Sequence, residues 1–197
     1  MRLQTKSIGF DGNLPFISAP IYGHMSWSPE SAIKGSAAVA FLFIPPKPDD
    51  NICRLVLTKR SLTVGSHKGQ VGFAGGRCDV ADKDPGETAK REVEEEIGIP
   101  RHRLNVHGQL EAQVSINGSE VTPVLMTADV SDDDFTLNPN EVAQLFLLPW
   151  TYFSAEKASA FSFNMFGIWR ESYLFDAAQI RVWGLTARII KLAGLKP

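Results

Sequence analysis

Short apolar segments in two clusters, with one sharply punctuated helix between them and an amphipathic segment at the end, predict an α/β fold. The expected architecture is an α/β/α sandwich around a mixed β-sheet. Three observations carry this. The runs SAAVAFLFI and CRLVLTKR read as strands near the start, a capped helix follows a glycine turn, and RVWGLTARIIKLAG closes the chain with helical periodicity. With 197 residues, 44% hydrophobic and 21% charged, the chain has the size and composition of one soluble domain with some decoration.

Residues 1–35 are rich in Gly, Pro and Ser and are expected to form an N-terminal arm packed on a domain spanning 36–197. Ser36 to Ile44 is short, apolar and closed by Pro45-Pro46, which suits a buried strand. Cys53 to Arg60 follows a polar turn and can pair with it as a hairpin. After a polar loop from Ser61 to Gln70, Val71 to Gly76 reads as a brief strand ending in glycines. A helix then opens with Asp84 as N-cap, Pro85 at its first position and Glu87 completing a capping box. It stops at Gly98, before Ile99-Pro100. Ala89, Val93 and Ile97 make its core-facing stripe.

Leu104 to Val114 and Glu120 to Val130 flank Asn117-Gly118, a hairpin signal, and Glu141 to Pro149 reads as a further strand. In the closing helix, predicted over Arg181 to Gly194, the core candidates are Trp183, Ala187, Ile190 and Leu192, and the four tryptophans are expected chiefly to fill the core.

A net charge of −2 argues against nucleic acid as a partner but leaves room for a small phosphorylated molecule, which needs only a local positive site. Cys53 and Cys78 make no disulfide framework and lack zinc spacing, so both are read as reduced thiols. The first residues hold no apolar core of a signal peptide, and no apolar run reaches the length of a membrane span. These features predict a cytoplasmic protein with no membrane partner, a monomer or homodimer.

The chemistry concentrates on one helix. Glu92, Glu95 and Glu96 fall within about 100° of one another on the helical wheel. Like charges at this spacing cost about 0.2–0.5 kcal/mol per pair, and no lysine follows to offset them. An oxygen-rich cluster of this kind suits a hard divalent cation, Mg²⁺ or Mn²⁺. Just upstream, Gly75-Gly76 permits a close backbone approach to a ligand. A solvated acidic face is the bland alternative.

Gly76, Asp82 and the run Arg91-Glu92-Val93-Glu94-Glu95-Glu96-Ile97-Gly98-Ile99 resemble the signature box of the Nudix hydrolases. Asp82 stands where the box has glutamate, and the gap to Arg91 is one residue longer. The resemblance implies that Glu92, Glu95 and Glu96 bind metal, that Gly76 contributes a carbonyl and that Arg91 supports Glu92. The base is then Glu92 or Glu141. The block Leu57-Thr58-Lys59-Arg60-Ser61, with His67, Gly69-Gln70, Phe73 and Gly75-Gly76, is similar to the one preceding the box in coenzyme A pyrophosphatases. Val121 to Val124 and Val182 to Ala187 extend that similarity. The family's arginine and proline are replaced here by Gly65 and Ala74. Arg60, Lys68 and Gly75 are the candidate substrate contacts, with a solvated strand-end charge as the other reading of Arg60, and a loop hydrogen bond is the expected role of His67. Three functions follow: hydrolysis of coenzyme A or its acyl esters, hydrolysis of ADP-ribose or nucleotide sugars, or a binding domain without turnover.

Overall fold

The computed structural model describes residues 35–194 other than 48, 64, 66 and 166. The expected N-terminal arm therefore lies outside the described residues, save Gly35. Strand β1 (Ala37–Ile44) is the centre of an eight-stranded sheet. It alternates faces with period two and is buried on both. Ala38, Ala40, Leu42 and Ile44 join one apolar cluster, Phe41 and Phe43 the other. β1 runs parallel to β7 (Glu120–Ala128), while the remaining pairings in the sheet are antiparallel, so the sheet is mixed as predicted.

β2 (Arg54–Arg60) pairs with β1 only at Phe43 with Leu55 and Ile44 with Arg54, and the two strands then part. The wedge is filled by β3 (Val71–Gly72) on β2 and β4 (Gly75–Arg77) on β1. The single strand expected over Val71 to Gly76 is thus two, because its halves pair with different neighbours. β5 (Leu104–Gln109) and β6 (Gln113–Val114) both pair with β7, and β8 (Val142–Pro149) lies along the other side of β2.

Helix α1 (Pro85–Ile97) covers one face. Asp84 caps it by accepting from the Glu87 N–H at 2.9 Å, and Ala89, Val93 and Ile97 are fully buried against β1, as their spacing requires. The Glu87 carboxylate faces Lys90. Helix α2 (Gly184–Ala193) covers the opposite face, burying Ala187, Ile189, Ile190 and Ala193 beside Phe41, Phe43 and Leu57. It shares that layer with a three-stranded sheet of β9 (Ser159–Met165), β10 (Ile168–Ala177) and β11 (Ile180–Trp183).

This corrects the expected C-terminal helix. Arg181 to Trp183 belong to β11, since Val182 pairs with Phe175 in the core, and the helix starts only at Gly184. Trp183 and Leu192 are exposed rather than core. Trp169 is also exposed and Trp150 half-buried, so the tryptophans do not fill the core; Trp27 lies outside the described residues.

Behind α1 the chain is stitched back to the helix end. The Thr136 N–H donates to the Ile97 carbonyl and the Asn138 N–H to the Glu96 carbonyl, each at 3.0 Å, which satisfies the last-turn acceptors. Gly98 makes this approach possible. Its φ is 78°, and a Cβ there would lie 2.7 Å from the Thr136 carbonyl oxygen. Gly98→Ala is expected to destabilise the protein by about 2 kcal/mol or more in urea unfolding, from left-handed strain plus displacement of the 136–141 segment.

Candidate active site

Three carboxylates from two distant stretches of sequence meet at the open end of the wedge. Oxygens of Glu92, Glu96 and Glu141 lie within 4.8 Å of one another. Glu92 and Glu96 are four residues apart on α1, one above the other on the side facing β4. Glu141 precedes β8 and arrives through the stitched segment, where its own N–H donates to the Asn138 carbonyl at 3.0 Å and the Asn138 amide donates to its carboxylate at 3.3 Å.

The glycines of β4 give the cluster its room. A Cβ on Gly76 would overlap the Glu92 carboxylate, so only glycine lets Glu92 lie flat against this strand. A Cβ on Gly75 would come within 2.7 Å of the Val39 Cα. The Gly75 backbone N–H favours the charged form of Glu96, so this donor serves the cluster itself.

Two arginines face these carboxylates in different ways. Arg91 is fully engaged. It donates to both oxygens of Asp82 at 3.3 and 3.0 Å, to Glu92 at 2.7 Å, to Glu95 at 3.2 Å and to the Arg77 carbonyl at 2.9 Å. Asp82 is buried and also accepts from the Thr88 hydroxyl at 2.8 Å and the Asp79 N–H at 2.9 Å. Burial pushes the Asp82 carboxyl up, but these hydrogen bonds outweigh it and hold the pKa below the ordinary carboxylate range. Arg60 is loosely engaged. Its Nη1 is 3.7 Å from Glu96, and its buried Nε has no hydrogen-bond partner among the described residues.

Both helix carboxylates of the cluster resist ionisation. Burial raises Glu92 above its usual pKa, partly offset by Arg91, with Glu95 and Glu141 adding to the rise. Glu96 is pushed up to about 8, first by burial and then by Glu92 and Glu141, against the opposing pull of Arg60 and the Gly75 N–H. The remaining predicted residues sit elsewhere. Glu95 is half-exposed and held on Arg91. Lys68 is exposed on the loop before β3, in a cleft on the other face of β2, and the His67 ring bonds to the Gln70 side chain at 3.0 Å.

The sequence pointed to Glu92, Glu96 and Glu141 but not to Glu141 lying beside the other two, and in it Asp82 stood only as a departure from a pattern. A carboxylate at the position that caps an arginine nine residues on was the available signal for Asp82.

The donor set fits a divalent cation. Three oxygen ligands, of which burial raises the proton affinity of Glu92 and Glu96, and one half-satisfied arginine make a site that a hard cation would neutralise. The pH dependence follows. The folded-state pKa of Glu96 lies above the ordinary 4.5, so between 4.5 and about 8 the folded chain binds more protons than the unfolded one. Stability of the metal-free protein is therefore expected to fall as pH rises through that window. Added Mg²⁺ should flatten the fall, as should Glu96→Gln, both read from thermal melts.

Comparison with known proteins agrees with this geometry. The NUDIX domain family model matches residues 36–166. The chain is 38% identical over 162 residues to "Uncharacterized Nudix hydrolase NudL" of Photorhabdus laumondii, covering 79% of this chain and 80% of the relative. It is 36% identical to "Nudix hydrolase 22, chloroplastic" of Arabidopsis thaliana over 80% of this chain and 53% of that one. The fold is similar to that of a MutT/nudix family protein from Enterococcus faecalis, with a TM-score of 0.50 at 10% identity over 86% of this chain and 62% of that one.

Proposed function

The chain belongs to the Nudix hydrolases, as a pyrophosphatase of that family, and from this we propose that its substrate is coenzyme A or an acyl-coenzyme A, cleaved to 3′-phospho-AMP and phosphopantetheine or its acyl ester. The observation that carries the reaction type is the cluster of buried Glu92 and Glu96 with half-buried Glu141 against Gly76. The substrate assignment rests on the block from Leu57 to Gly76 and on Val182 to Ala187, which resemble the coenzyme A branch.

Nudix hydrolases use divalent metal ions. In this reading Glu92, Glu96 and Glu141 would hold Mg²⁺ or Mn²⁺, with the Gly76 carbonyl and Glu95 as further candidate ligands. Such an ion would supply charge to offset the phosphoryl oxygens and would lower the pKa of the attacking water. The chain's own groups then divide the work. Arg91, clamped by Asp82, fixes the rotamer of Glu92. Glu141 takes the proton of the attacking water, because its side-chain contact is a long one to the neutral Asn138 amide at 3.3 Å, whereas Glu92 is held by the Arg91 cation at 2.7 Å. Water oxygen bonds to phosphorus, the bridging P–O bond breaks, and the second phosphate leaves with its electron pair. Arg60, with its unpartnered Nε, turns to the phosphoryl oxygens.

Among the described residues no helix is long and apolar enough to cross a membrane. Cys53 and Cys78 are buried and free, and burial pushes the Cys53 thiol up to about 12 and raises Cys78 as well. Two such inert thiols fit the reducing cytoplasm proposed for the protein.

Gly65 is exposed and supplies no cation, which keeps ADP-ribose as the competing substrate. A panel with Mg²⁺ and Mn²⁺ separates them: release of 3′-phospho-AMP from coenzyme A is expected to exceed release of AMP from ADP-ribose. Rapid cleavage of ADP-ribose with no turnover of coenzyme A or its thioesters would overturn the assignment. Glu96→Gln is expected to lower kcat by about 100-fold or more, and Glu95→Gln by less.

A further inference from the structure

On the face of the sheet away from α1, a cleft of about 720 Å³ separates the end of β2 and β8 from the β10–β11 turn. Three cations from three separate segments line it: Lys59 on β2, Lys68 on the following loop and Arg181 on β11. No carboxylate is among its lining residues. Arg181 is shared with Asp176 at 3.3 Å, whereas Lys59 and Lys68 make no ion pair among the described residues. Phe146 and the half-exposed Trp183 supply aromatic wall, and the Gln179 side chain supplies an amide.

Backbone strain gathers at the same place. Among the described residues the non-glycine positions with positive φ are His67 at 56°, Ala178 at 48° and Gln179 at 68°. Ala178 and Gln179 are the two-residue turn between β10 and β11, a position that ordinarily takes Asn-Gly. Both line the cleft, and His67 immediately precedes Lys68. A left-handed backbone is strained at a residue that carries a Cβ, and strain held in this way gathers where a ligand is clamped. The cleft is also coupled to the carboxylates. Lys59 lines it, while the next residue, Arg60, reaches Glu96 on the other face.

We propose that this cleft binds a sugar phosphomonoester that also bears an aromatic ring, at the non-reacting end of the substrate. Lys59, Lys68 and Arg181 meet the phosphate, and Trp183 and Phe146 meet the ring. The assignment rests on the pyrophosphatase reading above.

The test uses the full chain and two probes that cannot turn over, adenosine 3′,5′-bisphosphate and AMP, titrated by calorimetry. Wild type is expected to bind the bisphosphate about tenfold or more tightly than AMP. The Lys59→Gln/Arg181→Gln double variant, altered only at exposed positions, is expected to bring that ratio near one, with Lys59→Arg restoring part of it. A wild-type ratio near one, or a ratio that survives in the double variant, would overturn the proposal. The bisphosphate should also inhibit pyrophosphate hydrolysis competitively; a non-competitive pattern would overturn its placement at the substrate's own end. Failure to hydrolyse any pyrophosphate, with the binding ratio intact, would refute the hydrolase reading and leave the cleft standing.

Discussion

Three carboxylates held within 4.8 Å of one another in a largely buried setting repel one another strongly, and the surrounding structure is organised to hold them there nonetheless. Glu92 and Glu96 are placed by a helix whose start is set by Asp84 and whose apolar stripe is locked on β1. Glu141 is placed by a segment hydrogen-bonded to the carbonyls of that helix's last turn. Gly76 removes the side chain that would push Glu92 away from the sheet. The splay between β1 and β2 opens the wedge that β4 fills, and so brings Gly75 and Gly76 to the helix.

Much of the surrounding polar structure then serves to manage this charge. Arg91 acts through geometry, since its contacts with Asp82, Glu92, Glu95 and the Arg77 carbonyl leave little donor capacity for a ligand. Arg60 differs in that its buried Nε is unspent and its contact with Glu96 is long. A rigid cation thus holds one glutamate in place while a displaceable one stands beside another, the arrangement expected where binding must exchange an internal ion pair for an external charge. On the opposite face of β2, Lys59 extends the basic surface toward the strained β10–β11 turn.

The elements that were legible in the sequence are those governed by local chemistry. The caps of α1, its Ala89, Val93 and Ile97 stripe, the hairpin at Asn117-Gly118 and the apolar run of β1 all announce themselves within a few residues. What escaped depends on pairing at a distance. Trp183 looked like a helical core residue because the amphipathic pattern of the true helix runs back through Trp183 without a break, and only the pairing with β10 makes Arg181 to Trp183 a strand. β9 and β10 were not anticipated, although Phe161 and Phe163 alternate with Ser162 and Asn164 as strand residues do. At the site the same division holds. Spacing identified the glutamates of α1, but a wheel alone does not distinguish Glu95, which turns to Arg91, from Glu96, which turns to Glu141. That choice is made by β4 and by the segment before β8, which lie far apart in sequence.

The most direct test of this account is to locate manganese by anomalous diffraction in crystals of the protein grown with Mn²⁺. The account predicts an ion bonded at about 2.1–2.2 Å to carboxylate oxygens of Glu92, Glu96 and Glu141 together, with Arg60 moved off Glu96 and Arg91 still on Asp82. An ion bound through Glu95 alone, or one that leaves Glu141 turned away and Arg60 on Glu96, would contradict it.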